Sequence, residues 1–187
     1  MNRKETLFRI FIVPIVKLIS PLFFDKKYLK GRHFDNGISG WFWVCRSILW
    51  QKIFGFNHQI PWPVSPFIVI SNPNNIVFHV DNLDNFQQFG NYFQNLYGKI
   101  TIGHGTYIAP NVGIITTNHD PKDLDCYLEP KDVVIGENCW IGMNSMLLPG
   151  VHLGNSVIVG AGSVVTKSFD ADNIIIAGNP AKVIKNM

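Results

Sequence analysis

At 187 residues, 47% hydrophobic and 16% charged, the chain holds one domain with an appendage and has enough apolar side chain for a substantial core. A net charge of +3 without any Lys/Arg run excludes nucleic-acid binding as the leading reading. Three cysteines (Cys45, Cys126, Cys139) are an odd number without metal-ligand spacing, and they fit free thiols in a reducing cytoplasm.

Residues 1–64 are rich in aromatics and prolines and read as a helical N-terminal region. Leu7–Phe24 is apolar, but Pro14 and Pro21 break it, so a clean membrane span is not expected. Arg9 and Lys17 interrupt the same stretch and no small-residue cleavage site follows, which argues against a signal peptide. Trp41–Phe54, bracketed by Gly40 and Gly55, reads as a helix. Its polar residues are Arg46, Ser47, Gln51 and Lys52, and its apolar ones include Trp43, Val44, Ile48, Leu49, Ile53 and Phe54. Two roles suit the region. It caps the open end of the following domain, whose unpaired edge invites aggregation. Alternatively, residues 7–32 make a peripheral membrane contact, with Lys26, Lys27, Lys30 and Arg32 on acidic lipid head groups.

From about residue 65 to 177 a different rule governs. Aliphatic residues recur every sixth position at Ile102, Ile108 and Ile114, and again at Ile135, Ile141, Leu147, Leu153, Val159 and Val165. Four residues after most of them stands something small or slim: Thr106, Val112, Cys139, Ser145, Val151, Val157, Ser163. A period of six fits neither helix nor plain strand. It fits a chain that runs flat, turns a corner and repeats, so that three hexads close a triangular coil of a parallel β-helix. Each aliphatic residue then stacks on its equivalent one coil along. Between Ile70 and Leu96 the beat is blurred and one or two irregular coils are expected.

The register breaks a second time at residues 119–133, a proline-bounded stretch with no inward-facing pattern. A long excursion from a compact repeat is usually functional. It begins at His119, and imidazole is the side chain that takes and returns protons near neutral pH. Asp120, or a carboxylate from an adjacent chain, is placed to orient the ring. Residues 178–187 form a C-terminal tail, with a Gly-Asn-Pro turn followed by a stretch expected to make a short helix.

The runs Ile135-Gly-Glu-Asn-Cys-Trp-Ile-Gly-Met-Asn-Ser, Pro149-Gly-Val-His-Leu-Gly-Asn, Val159-Gly-Ala-Gly-Ser-Val-Val-Thr-Lys and Ala177-Gly-Asn-Pro-Ala-Lys resemble the hexapeptide-repeat acyltransferases over about residues 97–185. The nearest branch is that of the maltose/galactoside and chloramphenicol/streptogramin acetyltransferases, and the N-terminal region is similar to that of the colanic acid biosynthesis acetyltransferases. The resemblance implies an all-β fold built on a left-handed parallel β-helix, a homotrimer with sites between subunits, acetyl-CoA as donor and no required metal. It assigns His119 as catalytic base, with the loop after it walling the site. It places Gly142 and Ala161 against the pantetheine arm, Thr166 and Lys167 near the nucleotide, and Lys182 near the phosphates. Where sugar-acetylating relatives have His then Pro, this chain has His119-Asp120-Pro121.

The combined expectation is an O-acetyltransferase acting on a sugar hydroxyl of a cell-surface polysaccharide or its lipid-linked precursor, in the cytoplasm at the inner face of the membrane. Transfer is direct. The rivals are an antibiotic acetyltransferase, a zinc enzyme using His104, His119 and His152, and a non-catalytic scaffold.

Overall fold

The computed structural model describes the backbone from Arg3 to Met187 and the side chains from Glu5 onward. Met1 and Asn2, which belong to the expected N-terminal region, lie outside the described residues. The chain divides into two units, Met1–Pro66 and Phe67–Met187.

In the second unit the six-residue beat folds into three faces of short parallel strands. The first face stacks Val69–Ile70, Tyr92–Gln94, Gly113–Ile115, Met146–Leu147 and Val164–Val165. The second stacks Ile76–Phe78, Ile100–Ile102, Val133–Ile135 and His152–Leu153, and the third stacks Tyr107–Ile108, Trp140–Ile141, Ile158–Val159 and Ile174–Gly178. Consecutive segments visit the faces in turn, so residues eighteen apart, such as Ile141 and Val159, are direct partners. The inward positions form columns: Ile114, Leu147 and Val165 on the first face; Ile102, Ile135 and Leu153 on the second; Ile108, Ile141, Val159 and Ile176 on the third. Every one of them is at most 2% exposed.

The slim corner residues are buried because the corners need donors as well as space. Thr106 Oγ1 donates to the Gly136 carbonyl at 2.7 Å, Cys139 Sγ to that of Gly154 at 3.2 Å, and Ser145 Oγ to that of Gly160 at 3.1 Å. The turns themselves use left-handed residues. Gly105, Asn138, Ser156 and Asn173 share φ between 55° and 73°, a region where glycine and asparagine are least penalised.

Where the beat blurs, the structure has a 3-10 segment, Val80–Phe86, in place of a strand. Buried asparagine amides do the work of a neighbouring backbone there. Asn85 accepts the Ile108 N–H at 2.8 Å and donates to the Thr106 carbonyl at 2.8 Å, and Asn91 accepts the Val112 N–H at 3.0 Å. At the other end, the helix expected in the tail is absent. Ala181–Asn186 is instead a strand, antiparallel to Ile174–Gly178, and it covers the open edge of the third face. Edge pairing and the β-branched Val183 and Ile184 outweigh the helix propensity of the alanine and lysines.

The first unit is helical. Arg3–Leu7 and Val13–Ile19 are α-helices joined by a π-helical turn at Phe8–Ile12, and Pro14 is accommodated in the first turn of the second helix. Ser39–Ser47 is α-helical and continues as π-helix through Ile48–Ile53. Val44 is buried as expected, with Trp41, but the rest of the buried side differs. Ser47 and Gln51 face inward, while Leu49, Ile53 and Phe54 are exposed. The burial of the two polar residues has a cause: Gln51 donates to the carbonyls of Ile60 and Trp62 and accepts the Val64 N–H, and Ser47 donates to the Val64 carbonyl, so both bond the main chain of residues 60–64 beside the helix.

The stacking predicts a stability change. Ile141→Ala removes a fully buried rung between Ile108 and Val159 and is expected to lower unfolding stability by about 2–5 kcal/mol, read as a shift in the denaturant midpoint. An unchanged midpoint would contradict the column.

Candidate active site

The excursion leaves the coil at the corner between the first and second faces. Its base is closed by three bonds: Lys131 N–H to the Thr116 carbonyl at 2.8 Å, Leu128 N–H to the Asn118 carbonyl at 2.9 Å, and Thr117 Oγ1 to the Leu128 carbonyl at 2.9 Å. Beyond the base it is a β-hairpin, with His119–Asp120 antiparallel to Asp123–Tyr127. Residues 121–132 are all exposed, among them Leu124, Tyr127 and Leu128.

His119 is held from two sides. Its Nδ1 lies 2.6 Å from the Leu124 carbonyl, and its ring packs 4.5 Å from the Tyr127 ring at an interplanar angle of 37°. A carbonyl oxygen only accepts, so Nδ1 is the donor in this contact, and in the neutral ring the lone pair then stands on Nε2. Within this chain the orienting group is thus a backbone carbonyl rather than Asp120. Asp120 is spent on its own turn, where Oδ1 accepts the Lys122 N–H at 2.8 Å.

Gly142 and Ala161 come together at a different corner, between the third and first faces. A Cβ on Gly142 would stand 2.6 Å from the Ala161 nitrogen and 2.6 Å from the Val159 carbonyl oxygen, so only glycine fits. Both residues line an apolar groove of about 260 Å³ with Ala109, Trp140, Met143 and Ile158. Lys182 stands on the edge strand opposite Ala177, and the Ala177 Cβ in turn lies beside Gly160 of the same groove. Thr166 and Lys167 follow the first-face strand Val164–Val165 and therefore share the corner of the hairpin, with the Lys167 ammonium 5.6 Å from the Phe169 ring centroid. One chain thus divides the predicted residues into two sets. His119, Thr166 and Lys167 lie along one corner, and Gly142, Ala161 and Lys182 along another.

Sequence reasoning missed a second cavity of about 340 Å³ at the hairpin base, lined by Asn118, Leu128, Glu129, Lys131 and Pro149. The only signal for it was its place in the 119–133 break. The three histidines weighed as zinc ligands have separate partners: His152 Nδ1 lies 2.6 Å from Asp170 Oδ1, His104 Nε2 lies 3.6 Å from Asp81 Oδ2, and His119 is in the hairpin.

The hairpin carries a thiol that reports on it. Cys126 Sγ donates to Asp123 Oδ2 at 3.2 Å, and that bond raises the thiol pKa because ionisation would set two anions together. Alkylation of exposed Cys126 should therefore be slow at neutral pH and accelerate as pH rises past the ordinary thiol range. Asp123→Asn should speed it at neutral pH, while Cys139, which is buried and also raised by desolvation, stays silent. Site-resolved mass spectrometry of the native protein measures both, and equal labelling of Cys139 would contradict the geometry.

Residues 132–167 match the family of bacterial transferase hexapeptide (six repeats). A Dictyostelium discoideum protein provisionally named an acetyltransferase is 47% identical over 175 residues, covering 87% of each chain. An Escherichia coli (strain K12) protein provisionally named a lipopolysaccharide biosynthesis O-acetyl transferase is 43% identical over 100 residues, covering 46% of this chain and 50% of its own. Among solved structures, a galactoside acetyltransferase in complex with coenzyme A is 29% identical and superposes with a TM-score of 0.55, over 67% of this chain and 61% of that one. The Dictyostelium protein apart, this chain spans about half the length of the curated relatives it matches. With the repeat, the corner chemistry and a relative aligned over most of both chains, this chain belongs to the hexapeptide-repeat acetyltransferases.

Proposed function

We propose that this protein is an acetyl-CoA-dependent O-acetyltransferase acting on a sugar hydroxyl, in the assembly of a cell-surface polysaccharide such as capsule, O-antigen or exopolysaccharide. The observation that carries the reading is the His119–Leu124 contact: with Nδ1 on the Leu124 carbonyl, Nε2 of the neutral ring is an oriented, exposed base. In the reaction, Nε2 takes the acceptor hydroxyl proton as the oxygen attacks the thioester carbonyl. The C–S bond breaks, and the same proton returns to the departing thiolate, giving the acetyl ester and CoA thiol. No acyl-enzyme forms. Backbone N–H groups near the thioester oxygen stabilise the developing negative charge. The Ala161 main chain, beside Gly142 in the groove, bonds the pantetheine arm. Gly142 lets the pantetheine arm lie against the coil, and Thr166, Lys167 and Lys182 meet the nucleotide and phosphates.

The division of these residues between two corners supports a homotrimer, and the hexapeptide-repeat family supports left-handed coils. A prism cannot bring two of its corners together, so a site that uses both sets takes one from each of two neighbouring copies. The exposed Leu124 and Tyr127 of the hairpin, at 71% and 51%, suit a neighbour's surface. The polysaccharide reading is supported by the lipopolysaccharide-biosynthesis relative and by the galactoside enzyme.

The assay is thiol release from acetyl-CoA against sugars, lipid-linked glycans and antibiotics of the chloramphenicol and streptogramin types. A glycan should be preferred, and His119→Ala should lower kcat by about 10²–10⁴-fold while CoA binding stays within a few-fold. Undiminished activity in the mutant would sink the base assignment, and preference for an antibiotic over every glycan would sink the acceptor class.

We also place the protein in the cytoplasm, peripherally at the membrane face. No helix among the described residues is long and apolar enough to cross a membrane. The N-terminal helical run nevertheless exposes Ile10, Phe11, Ile15, Leu18 and Leu22, the last two at 80% and 81%, close to the exposed Lys26, Lys27 and Lys30. Such a surface suits an interfacial contact with anionic lipid. The protein should sediment with anionic vesicles at low salt, and the double change Leu18→Ser with Leu22→Ser should abolish this. Failure of the unaltered protein to sediment would refute the contact.

A further inference from the structure

We propose that His79, Asp81 and His104 form a binding site for a divalent transition-metal ion, which clamps the first coils of the β-helix. The strands Ile76–Phe78 and Ile100–Ile102 are parallel, with Phe78 opposite Ile102. The residues that follow them, His79 on one coil and Gly103-His104 on the next, therefore leave the second face side by side. Asn82, 1% exposed, bonds the two coils together: its Nδ2 donates to the Gly103 carbonyl at 2.6 Å and its Oδ1 accepts the Gly105 N–H at 3.0 Å. The turn that carries His104 is thus fixed on both sides of that residue to the coil that carries His79 and Asp81.

On this frame Asp81 Oδ2 lies 3.6 Å from His79 Nδ1 and 3.6 Å from His104 Nε2. The two imidazole rings are 4.5 Å apart at 82°, and one donor atom from each residue lies within 4.8 Å of the other two. Donors around a tetrahedral ion at about 2.0–2.1 Å are roughly 3.4 Å from one another, so both carboxylate–imidazole gaps are nearly right already. Only the imidazole–imidazole gap must close, and both histidines are half-exposed and free to turn. His79 Nδ1 also accepts the Asp81 N–H at 3.2 Å, a long bond that coordination through that atom would exchange for metal. Two imidazoles and a carboxylate suit Zn²⁺, Co²⁺, Ni²⁺ or Cu²⁺ rather than Mg²⁺ or Ca²⁺, which prefer all-oxygen sets. Half-exposure leaves the remaining positions to water.

The site stands at the corner between the second and third faces, whereas His119 leaves at the corner between the first and second. Its effect is accordingly structural. It crosslinks coils where the hexad beat is weakest and the 3-10 segment Val80–Phe86 replaces a strand.

The test uses the chain of residues 1–187 without an affinity tag. Co²⁺ titration should produce visible d–d bands that saturate at one equivalent and are displaced by Zn²⁺. Zn²⁺, but not Mg²⁺, should raise Tm. His79→Asn and His104→Asn should each weaken Co²⁺ binding by more than about tenfold without lowering Tm in EDTA, and His152→Asn should leave binding intact. Lack of both the bands and the Zn²⁺-dependent rise in Tm would overturn the proposal, as would bands that persist in the His79→Asn/His104→Asn double variant.

Discussion

Backbone lies directly on backbone along one corner of this molecule, over three successive coils. Gly103, Gly136 and Gly154 each follow an inward rung of the second face, and a Cβ on any of them would collide with the chain of the next coil. The contact fixes the rise from coil to coil, so the interior columns have no freedom to slip by a residue. A slip would also turn Ile135, Ile141 and Leu147 outward together. The hydrophobic columns supply most of the stabilisation, and the glycine corner decides which register receives it.

This constraint explains why so much of the β-helix is legible in sequence. Inward positions demand an aliphatic residue and corners demand a slim one, so both demands recur and mark the chain. The coil over residues 80–91 escapes because its ladder is completed by the amides of Asn82, Asn85 and Asn91, and amides leave no periodic signature. The pattern over the Ser39–Ile53 helix places Val44 correctly but misplaces Ser47, Gln51, Leu49 and Ile53. A π-helical second half shifts its phase, and the partners of Gln51 come from residues 60–64, which no local pattern announces. The tail was read as a helix because its strand partner, Ile174–Gly178, is visible only once the hairpin closes.

The candidate site divides in the same way. His119 stood out as the point where the repeat stops, and Gly142 as a residue the corner needs in any case. What orients His119 could not be read, because its partner is a main-chain oxygen and the identity of Leu124 does not encode it. Nor could the separation of the two residue sets be read from motif order. It follows from counting faces: Ala161 and Thr166 are five positions apart in sequence, yet lie at the two ends of a first-face strand.

The bond between the Lys131 N–H and the Thr116 carbonyl has a consequence for how such proteins diversify. It lets the rigid prism treat Thr116 and Lys131 as neighbours, so that the fourteen residues between them are bracketed out of the coil's arithmetic. Length, charge and shape within that bracket can drift without disturbing a single rung. An ancestral scaffold of this kind can therefore reshape the hairpin around a retained His119 while the coils on either side are passed on unchanged.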